Sequence, residues 1–226
     1  MILKAQINSD YQNLHKYFEK MHTVLDEVRE EEKNIKPKIY DGNTDVIPNS
    51  YASISHFILP DMLINIYSYL EFWLKKICQN HHQSFILKCD DIKGKNDLHK
   101  YHKYFTKYIG LVLKADNEYE QLNKLREIRN FYIHHGGHIR KKKREIDTLF
   151  FIRGKEVEGL HIDFIFLKED QEIQPNDEVS GMIIVEKKYI DNQLRNAQEY
   201  LLKICIEMER KTEDIERGDS MVEIER

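Results

Sequence analysis

The chain has 226 residues, of which 41% are apolar and 33% charged, and its formal net charge is −4. This length fits one domain, or one domain with an insertion, and the low glycine and proline content argues against a loop-rich or disordered chain. Because the net charge is negative, any contact with nucleic acid must come from a local basic patch rather than from the whole surface.

The cysteines and the lack of long apolar runs indicate the compartment. Cys78, Cys89 and Cys205 are odd in number and form no Cys-x-x-Cys pair, so they predict buried thiols in a reducing environment rather than disulfides or a zinc knuckle. The N-terminus lacks the features of a signal peptide, and no apolar run is long enough to span a bilayer. We therefore expect a cytoplasmic protein without membrane contact.

A helical pattern opens the chain, with apolar residues in alternating steps of four and three. These residues are Ile7, Tyr11, Leu14, Phe18, Met21, Leu25 and Val28. The pattern ends before Pro37, and residues 36–50 carry turn signals that predict a loop. In the next segment, residues 51–80, Pro60 is expected in the first turn of a second helix. Apolar residues occupy most sides of that helix, which predicts a central place in a bundle.

Two further helices are predicted between Asn96 and Gly136. Asn96 or Asp97 is expected to cap the third helix. Its predicted buried face holds Leu98, Tyr101, Phe105, Tyr108 and Val112. The fourth helix is predicted to bury Tyr119, Leu122, Leu125, Ile128 and Ile133. Gly136 and Gly137 then provide a C-terminal stop.

The composition changes after the fourth helix. The stretches TLFFIRG, GLHIDFIFL and GMIIVEK are rich in β-branched and aromatic residues, which predicts a small antiparallel sheet over about residues 147–187. A last helix is indicated by Ile190, Leu194, Ala197, Leu201, Ile204 and Met208. We expect one mainly α domain over residues 1–215, a bundle of four to five helices with a β insertion before the last one. The acidic tail, residues 216–226, is expected to be disordered.

The end of the fourth helix, REIRNFYIHHGG (residues 126–137), carries the candidate site. Asn130 and His134, four residues apart, lie on one helix face, with Arg126 one turn earlier. Arg129 and His134 are five apart, which leaves them about 140° apart around a regular helix. Either the helix distorts near its end, or a second copy of the chain completes the site.

The stretch RNFYIH resembles the Arg-Asn-x-x-x-His form of the motif found in HEPN-domain proteins, near the end of a helix in an α-helical bundle. YSYLEFWLKKIC is similar to the second helix of that family, in which a glutamate, here Glu71, sits inside an apolar helix. The close match covers about residues 118–137. The β segment departs from a minimal HEPN bundle and is treated as an insertion.

The resemblance implies a metal-independent endoribonuclease that works as a homodimer and needs no cofactor. His134 would remove the proton from an RNA 2′-OH, leaving a 2′,3′-cyclic phosphate and a 5′-OH end. Arg129 would stabilise the charge on the phosphorane, and Asn130 would orient His134 or contact phosphate. Such enzymes are commonly toxins of toxin–antitoxin pairs or effectors of antiviral abortive infection, so an antitoxin or a defence protein is the expected partner.

Supporting roles fall to residues around this motif. Glu71 and Arg126 are expected to assist the arginine, and Glu71 equally suits a helix residue that reaches solvent at the bundle edge. Tyr132 suits stacking on a base, and it also suits packing in the core or in a dimer interface. The basic run RKKKR is expected to hold RNA phosphates, which would make binding depend on salt. Its members are Arg140, Lys141, Lys142, Lys143 and Arg144.

Other interpretations of the same residues remain open. Arg126 and Arg129 also suit ion pairs on a helix surface, and His134 and His135 also suit a helix C-terminus, where positive charge meets the macrodipole. The basic run also suits a solvated loop, and a zinc site at HHGGH lacks a complete ligand set. A catalytically silent module that binds RNA, a nucleotide or a protein partner is the second functional hypothesis, and a helical scaffold is the third.

Overall fold

The structure, a computed structural model, describes residues 2–34, 39–40, 43–44, 50–81, 89–94, 96–113, 116–164 and 174–216. It confirms a mainly α protein with a small antiparallel sheet before the last helix. The helices are α1 (Ile2–Asn34), α2 (Ser50–His81), α3 (Asp97–Lys103), α4 (Asp116–His135), α5 (Lys143–Phe150) and α6 (Lys187–Glu216). The strands are β1 (Ile39–Tyr40), β2 (Asn43–Thr44), β3 (His138–Lys142), β4 (Phe151–Ile152), β5 (Lys155–Glu156), β6 (Leu160–Phe164) and β7 (Glu178–Val185).

The four-three rhythm correctly located the buried faces of the long helices. In α6 the whole predicted set from Ile190 to Met208 is buried, and in α1 the same holds for Ile7, Tyr11, Leu14, Phe18 and Leu25. The second helix begins ten residues before Pro60, so the expectation that this proline lies in the first turn was wrong. Of the predicted tail, residues 216–226, Glu216 ends the last helix, and residues 217–226 lie outside the described part of the chain.

Two compact units make up the chain, and the long helices contribute to both. The first unit consists of the described parts of Met1–Tyr11, Asn65–Glu127 and Asn192–Arg226. The second consists of the described parts of Gln12–Ile64 and Ile128–Asp191.

Polar contacts tie the helices of the first unit together around an apolar core. Gln198 of α6 donates to Asn8 of α1, with 2.9 Å between Nε2 and Oδ1. His102 of α3 lies 2.8 Å from the Tyr200 hydroxyl of α6, measured from its Nδ1. The His102 ring also stacks on Tyr119 of α4, with the ring centroids 3.8 Å apart. Cys78, Cys89 and Cys205 are buried and form no disulfide, as predicted.

The third helix departs from its predicted buried face because its winding changes. Asn96 caps it as expected, and its Oδ1 accepts a hydrogen bond of 2.8 Å from the His99 amide. After Lys103, however, the chain continues as a π-helix, Tyr104–Tyr108. The wider turn shifts the apolar rhythm, so Tyr104 is buried, whereas the predicted core residues Tyr108 and Val112 are exposed.

The second unit contains a three-stranded antiparallel sheet in the order β3-β7-β6. The central strand β7 alternates between buried and half-buried positions, and Val179, Ile183 and Val185 lie on its buried face. This alternation is the pattern of a sheet with one face on a core.

The sheet begins earlier than its sequence predicted. Residues 138–142 form β3, although their basic composition lacks β-forming signals, because they pair with Glu178–Met182 of β7. Part of the TLFFIRG stretch, expected as a strand, belongs to α5. Ile146, Leu149 and Phe150 are buried at the helical spacing of three and four, and this burial favours a helix over a strand.

Within the described residues, no helix combines the length and the apolar character that crossing a membrane requires.

Candidate functional site

The candidate site lies where α4 ends. The helix stops because Gly136 and Gly137 take positive φ angles of 59° and 83°, which side chains with a Cβ atom rarely adopt. The Gly136 amide donates to the Tyr132 carbonyl at 3.0 Å, and the Gly137 amide donates to the Phe131 carbonyl at 3.2 Å. These two bonds satisfy carbonyls that the end of a helix would otherwise leave open, and β3 starts at the next residue.

Arg129 and Asn130 are joined by a side-chain hydrogen bond. Nη1 of Arg129 donates to Oδ1 of Asn130 at 2.9 Å, and both side chains are half-buried. Neighbouring residues of a helix point about 100° apart, so this bond draws the guanidinium towards the face that carries Asn130. His134 lies one turn further on that same face. Asn130 and His134 therefore share one side of α4, and the hydrogen bond links Arg129 to that side through Asn130.

His134 is exposed in the last turn of α4, as is His135. The centroids of the two imidazole rings lie 6.3 Å apart. An exposed imidazole at this position is accessible to a large substrate, and it also suits the negative end of the helix macrodipole. The position of His134 therefore suits both interpretations from the sequence.

Helix α4 is regular from Asp116 to His135. The sequence left two ways for Arg129 and His134 to converge. The first, a distortion near the end of the helix, does not occur in α4. On a regular helix their Cα–Cβ directions differ by about 140°, although the Asn130 hydrogen bond brings the guanidinium part of the way round. The second route, completion of the site by another copy of the chain, stays a prediction.

Arg126 is engaged along its own helix. Its Nε donates to Oδ1 of Asn123 at 3.2 Å, and its Nη2 lies 3.6 Å from Oε1 of Glu127. These contacts match the ion-pair interpretation of Arg126. Glu71 is half-buried within α2, and its proposed support of the arginine stays a prediction.

Tyr132 connects the end of α4 to the sheet. Its hydroxyl donates to the Ile183 carbonyl, and the Ile183 amide in turn donates to the Gly137 carbonyl at 3.0 Å. On another side its ring centroid lies 6.1 Å from that of His56. Burial raises the pKa of Tyr132 above its usual value, so the phenol stays protonated. These contacts give Tyr132 a structural role, and base stacking by it stays a prediction.

The basic run is a strand and the start of a helix, not a loop. Arg140, Lys141 and Lys142 belong to β3, while Lys143 and Arg144 open α5. Lys142 and Arg144 are exposed.

Acidic neighbours offset part of the charge of this run. Nε of Arg140 lies 3.0 Å from a Glu178 carboxylate oxygen, and the Lys141 ammonium lies 3.8 Å from Glu145. Lys143 pairs with Asp147 four residues on. Exposed pairs of this kind contribute little to stability and open readily to a competing phosphate.

A groove beside the candidate site was not foreseen from the sequence. It lies between the end of α4 and the sheet, where Phe131 and His135 face residues of β3 and β7. The signal that could have found it is the second histidine of HHGGH followed by the basic run. It was overlooked because the first strand of the sheet was expected about ten residues later.

Among the residues that the structure describes, no group of three or more His, Cys, Asp or Glu side chains is arranged to hold a metal ion. The histidines of HHGGH therefore do not form such a group.

A comparison of the chain with protein-family models, with curated proteins and with solved structures finds no match.

Proposed function

We propose that the protein is a metal-independent endoribonuclease in which Arg129, Asn130 and His134 form the catalytic group. The observation that carries the proposal is the Arg129–Asn130 hydrogen bond, 2.9 Å long, one turn before an exposed His134 at a helix end. It links a permanently charged planar fork to the amide of Asn130, which shares one face of α4 with the exposed imidazole of His134. RNA cleavage by its own 2′-OH asks for no more than these groups.

The reaction follows from the chemistry of these side chains. Neutral His134 takes the proton of a 2′-OH, and the oxygen attacks the adjacent phosphorus. The bond from phosphorus to the 5′-oxygen breaks, and a proton from a second acid, the imidazolium of a partner copy or water, neutralises the leaving oxygen. Arg129 holds the extra negative charge on the phosphorane by paired N–H donors. DNA lacks the 2′-OH and is not cut by this route.

In a homodimer, Arg129 of one copy and His134 of the other would form the site together. Because α4 is regular, the arginine of one copy and the histidine of another meet more readily than the two within one chain. Apolar side chains on the second unit favour such an association. Ile133, the neighbour of His134, is 43% exposed, and Phe57 is 74% exposed. A nuclease of this kind needs restraint in its host, so we include an antitoxin or defence protein as its partner, on the strength of the HEPN resemblance.

The test is the cleavage of end-labelled RNA by purified protein in EDTA, with the product ends read by mass spectrometry. We expect 2′,3′-cyclic phosphate and 5′-OH ends. His134→Ala should lower the rate by about 10²–10⁴-fold, and Arg129→Ala by about 10²–10³-fold. Arg129→Lys should restore little, since an ammonium keeps the charge without the fork.

Matched controls separate chemistry from folding. His161→Ala removes an exposed histidine of β6, and Arg195→Ala removes an exposed arginine of α6. Both should cut at the wild-type rate, and all variants should keep the wild-type circular dichroism spectrum. Loss of cutting in EDTA, or normal cutting by both Arg129→Ala and His134→Ala, would contradict the mechanism.

The regular geometry of α4 also favours a second candidate function, a binding module without catalytic activity. If no second copy completes the site, Arg129 and His134 stay apart and the chain is a silent module that binds RNA, a nucleotide or a protein. Such a module would leave RNA intact, and His134→Ala would bind it as the wild type does. Growth arrest on expression that His134→Ala relieves would favour the nuclease.

A further inference from the structure

We infer that the groove between α4 and the sheet binds one unpaired nucleotide of an RNA strand, next to the proposed cleavage point. The inference rests on the proposed function for the identity of its ligand. The groove has a volume of about 410 Å³, which is within the usual range for a small-ligand site. This volume suits a single nucleotide.

Aromatic and imidazole side chains form one wall of this groove. Phe131 is half-buried and lines the groove, and its ring centroid lies 6.2 Å from that of the exposed His135. His138, at the start of β3, is exposed and lines the groove as well. Exposed imidazoles stack on nucleobases, and every nucleobase has a π-face. Such a wall therefore accepts any of the four bases.

A cation and a hydroxyl complete the groove. The Lys141 ammonium lies over the Phe131 ring, 5.8 Å from its centroid, and this contact holds it beside the wall. Its ion pair with Glu145 is 3.8 Å long and half-exposed, so an RNA phosphate can displace the carboxylate. Ser180 of β7 also lines the groove and offers a hydroxyl to a base edge. Stacking, phosphate and base-edge contacts thus occur together.

The position of the groove relates it to the cleavage site. His135 follows His134 directly, and their ring centroids lie 6.3 Å apart. A base held by His135 would therefore place the neighbouring phosphate close to His134. The groove would fix the register of the strand without reading its sequence.

The test measures RNA binding in a protein that cannot cut. In the His134→Ala background with EDTA, the probe is a fluorescent single-stranded octamer of uridines, followed by anisotropy. A second His135→Ala change should weaken binding about tenfold through the lost stacking contact. His135→Phe should retain the wild-type affinity because it keeps a stacking face. Lys141→Gln should reduce the slope of log K against log salt by about 0.7.

Two probes and one control make the outcome decisive. An octamer without bases should bind about tenfold more weakly and should not respond to His135→Ala. His161→Ala, which changes an exposed histidine outside the groove, should leave binding unchanged. Equal binding of both octamers, or no effect of His135→Ala, overturns the inference. Competition by free uridine monophosphate at the octamer's own concentration overturns it as well, since the groove would then be a mononucleotide site.

Failure of this inference and failure of the proposed function give different results. If RNA stays intact with the wild-type protein but binding depends on His135 and on the bases, the nuclease proposal fails and the groove stands. If RNA is cut, and His135→Ala neither slows cutting nor weakens binding, the groove fails and the nuclease stands.

Discussion

His22 of α1 is buried, and its Nε2 lies 3.9 Å from a carboxylate oxygen of Asp191. Burial lowers the pKa of His22 below its ordinary value of 6.5, and the charge of Lys187 lowers it further. Asp191 and Asp26 act in the opposite direction, and His15 adds a weaker lowering effect. The net result is a neutral imidazole in the folded protein at neutral pH.

This lowered pKa makes stability depend on pH in a defined direction. Between the folded pKa and 6.5 the unfolded chain binds the proton of His22 more tightly, so the free energy of unfolding falls as the pH falls through that window. Urea unfolding between pH 8 and 5 measures it. His22→Gln should flatten the profile, whereas His161→Gln, on an exposed histidine, should not. An unchanged profile in His22→Gln would contradict the assignment.

At the residue scale, the sequence predicted less of the candidate site than its motif suggests. The spacing of Asn130 and His134 correctly placed them on one helix face, because periodicity depends on position alone. The hydrogen bond between Arg129 and Asn130 could not be read from the sequence, because it depends on the rotamers of two neighbouring side chains. The ion pair of Arg126 was predicted only as an alternative, and its hydrogen bond to Asn123 depends on side-chain rotamers that the sequence does not specify.

At the scale of elements, the junction between α4 and the sheet leads to a prediction about the substitution of its two glycines. A Cβ atom added to Gly137 would lie 2.6 Å from Cε1 of Tyr132, whereas one added to Gly136 would meet no atom within 4 Å. Both glycines have positive φ angles, so replacing either one by alanine strains the backbone. Only the alanine at position 137 would also collide with the Tyr132 ring.

Gly136→Ala should therefore lower the free energy of unfolding by about 1 kcal/mol. Gly137→Ala should lower it by about 2–4 kcal/mol, because displacing the Tyr132 ring adds an overpacking cost and disturbs the hydrogen bond to Ile183. Urea denaturation of the two variants measures the difference. Equal losses would show that the Tyr132 ring moves aside freely, and that the junction is looser than its contacts indicate.

Elements with a strong apolar rhythm were predictable, and those set by tertiary contacts were not. The periods of α1 and α6 persist over many turns, and the buried residues follow them. The strand β3 has no such signal and exists because β7 supplies its hydrogen-bond partners. The π-helix Tyr104–Tyr108 broke a helical rhythm that had been extended through Val112. Ile133, expected in the core, is exposed because it lies five residues after the buried Ile128, which places it about 140° around the helix from that residue.

At the scale of the whole molecule, we predict that the proposed active site is shared between two copies of the chain, because α4 is a regular helix. If each site takes Arg129 from one copy and His134 from the other, the two inactive variants should complement each other. A mixed dimer of Arg129→Ala and His134→Ala has one site with both groups intact and one with neither. Statistical mixing makes half of the dimers mixed, so co-expressed variants should cut at about a quarter of the wild-type rate.

The complementation needs contact between copies, and Ile133 offers a way to remove it. This side chain is 43% exposed beside His134, so Ile133→Glu would bring a charge into the proposed interface without disturbing the core. Light scattering after gel filtration should then give a monomer, and the co-expressed pair should lose its recovered activity. If the mixed variants form dimers yet cut no faster than either alone, the arginine and histidine do not act across copies, and the shared site is wrong.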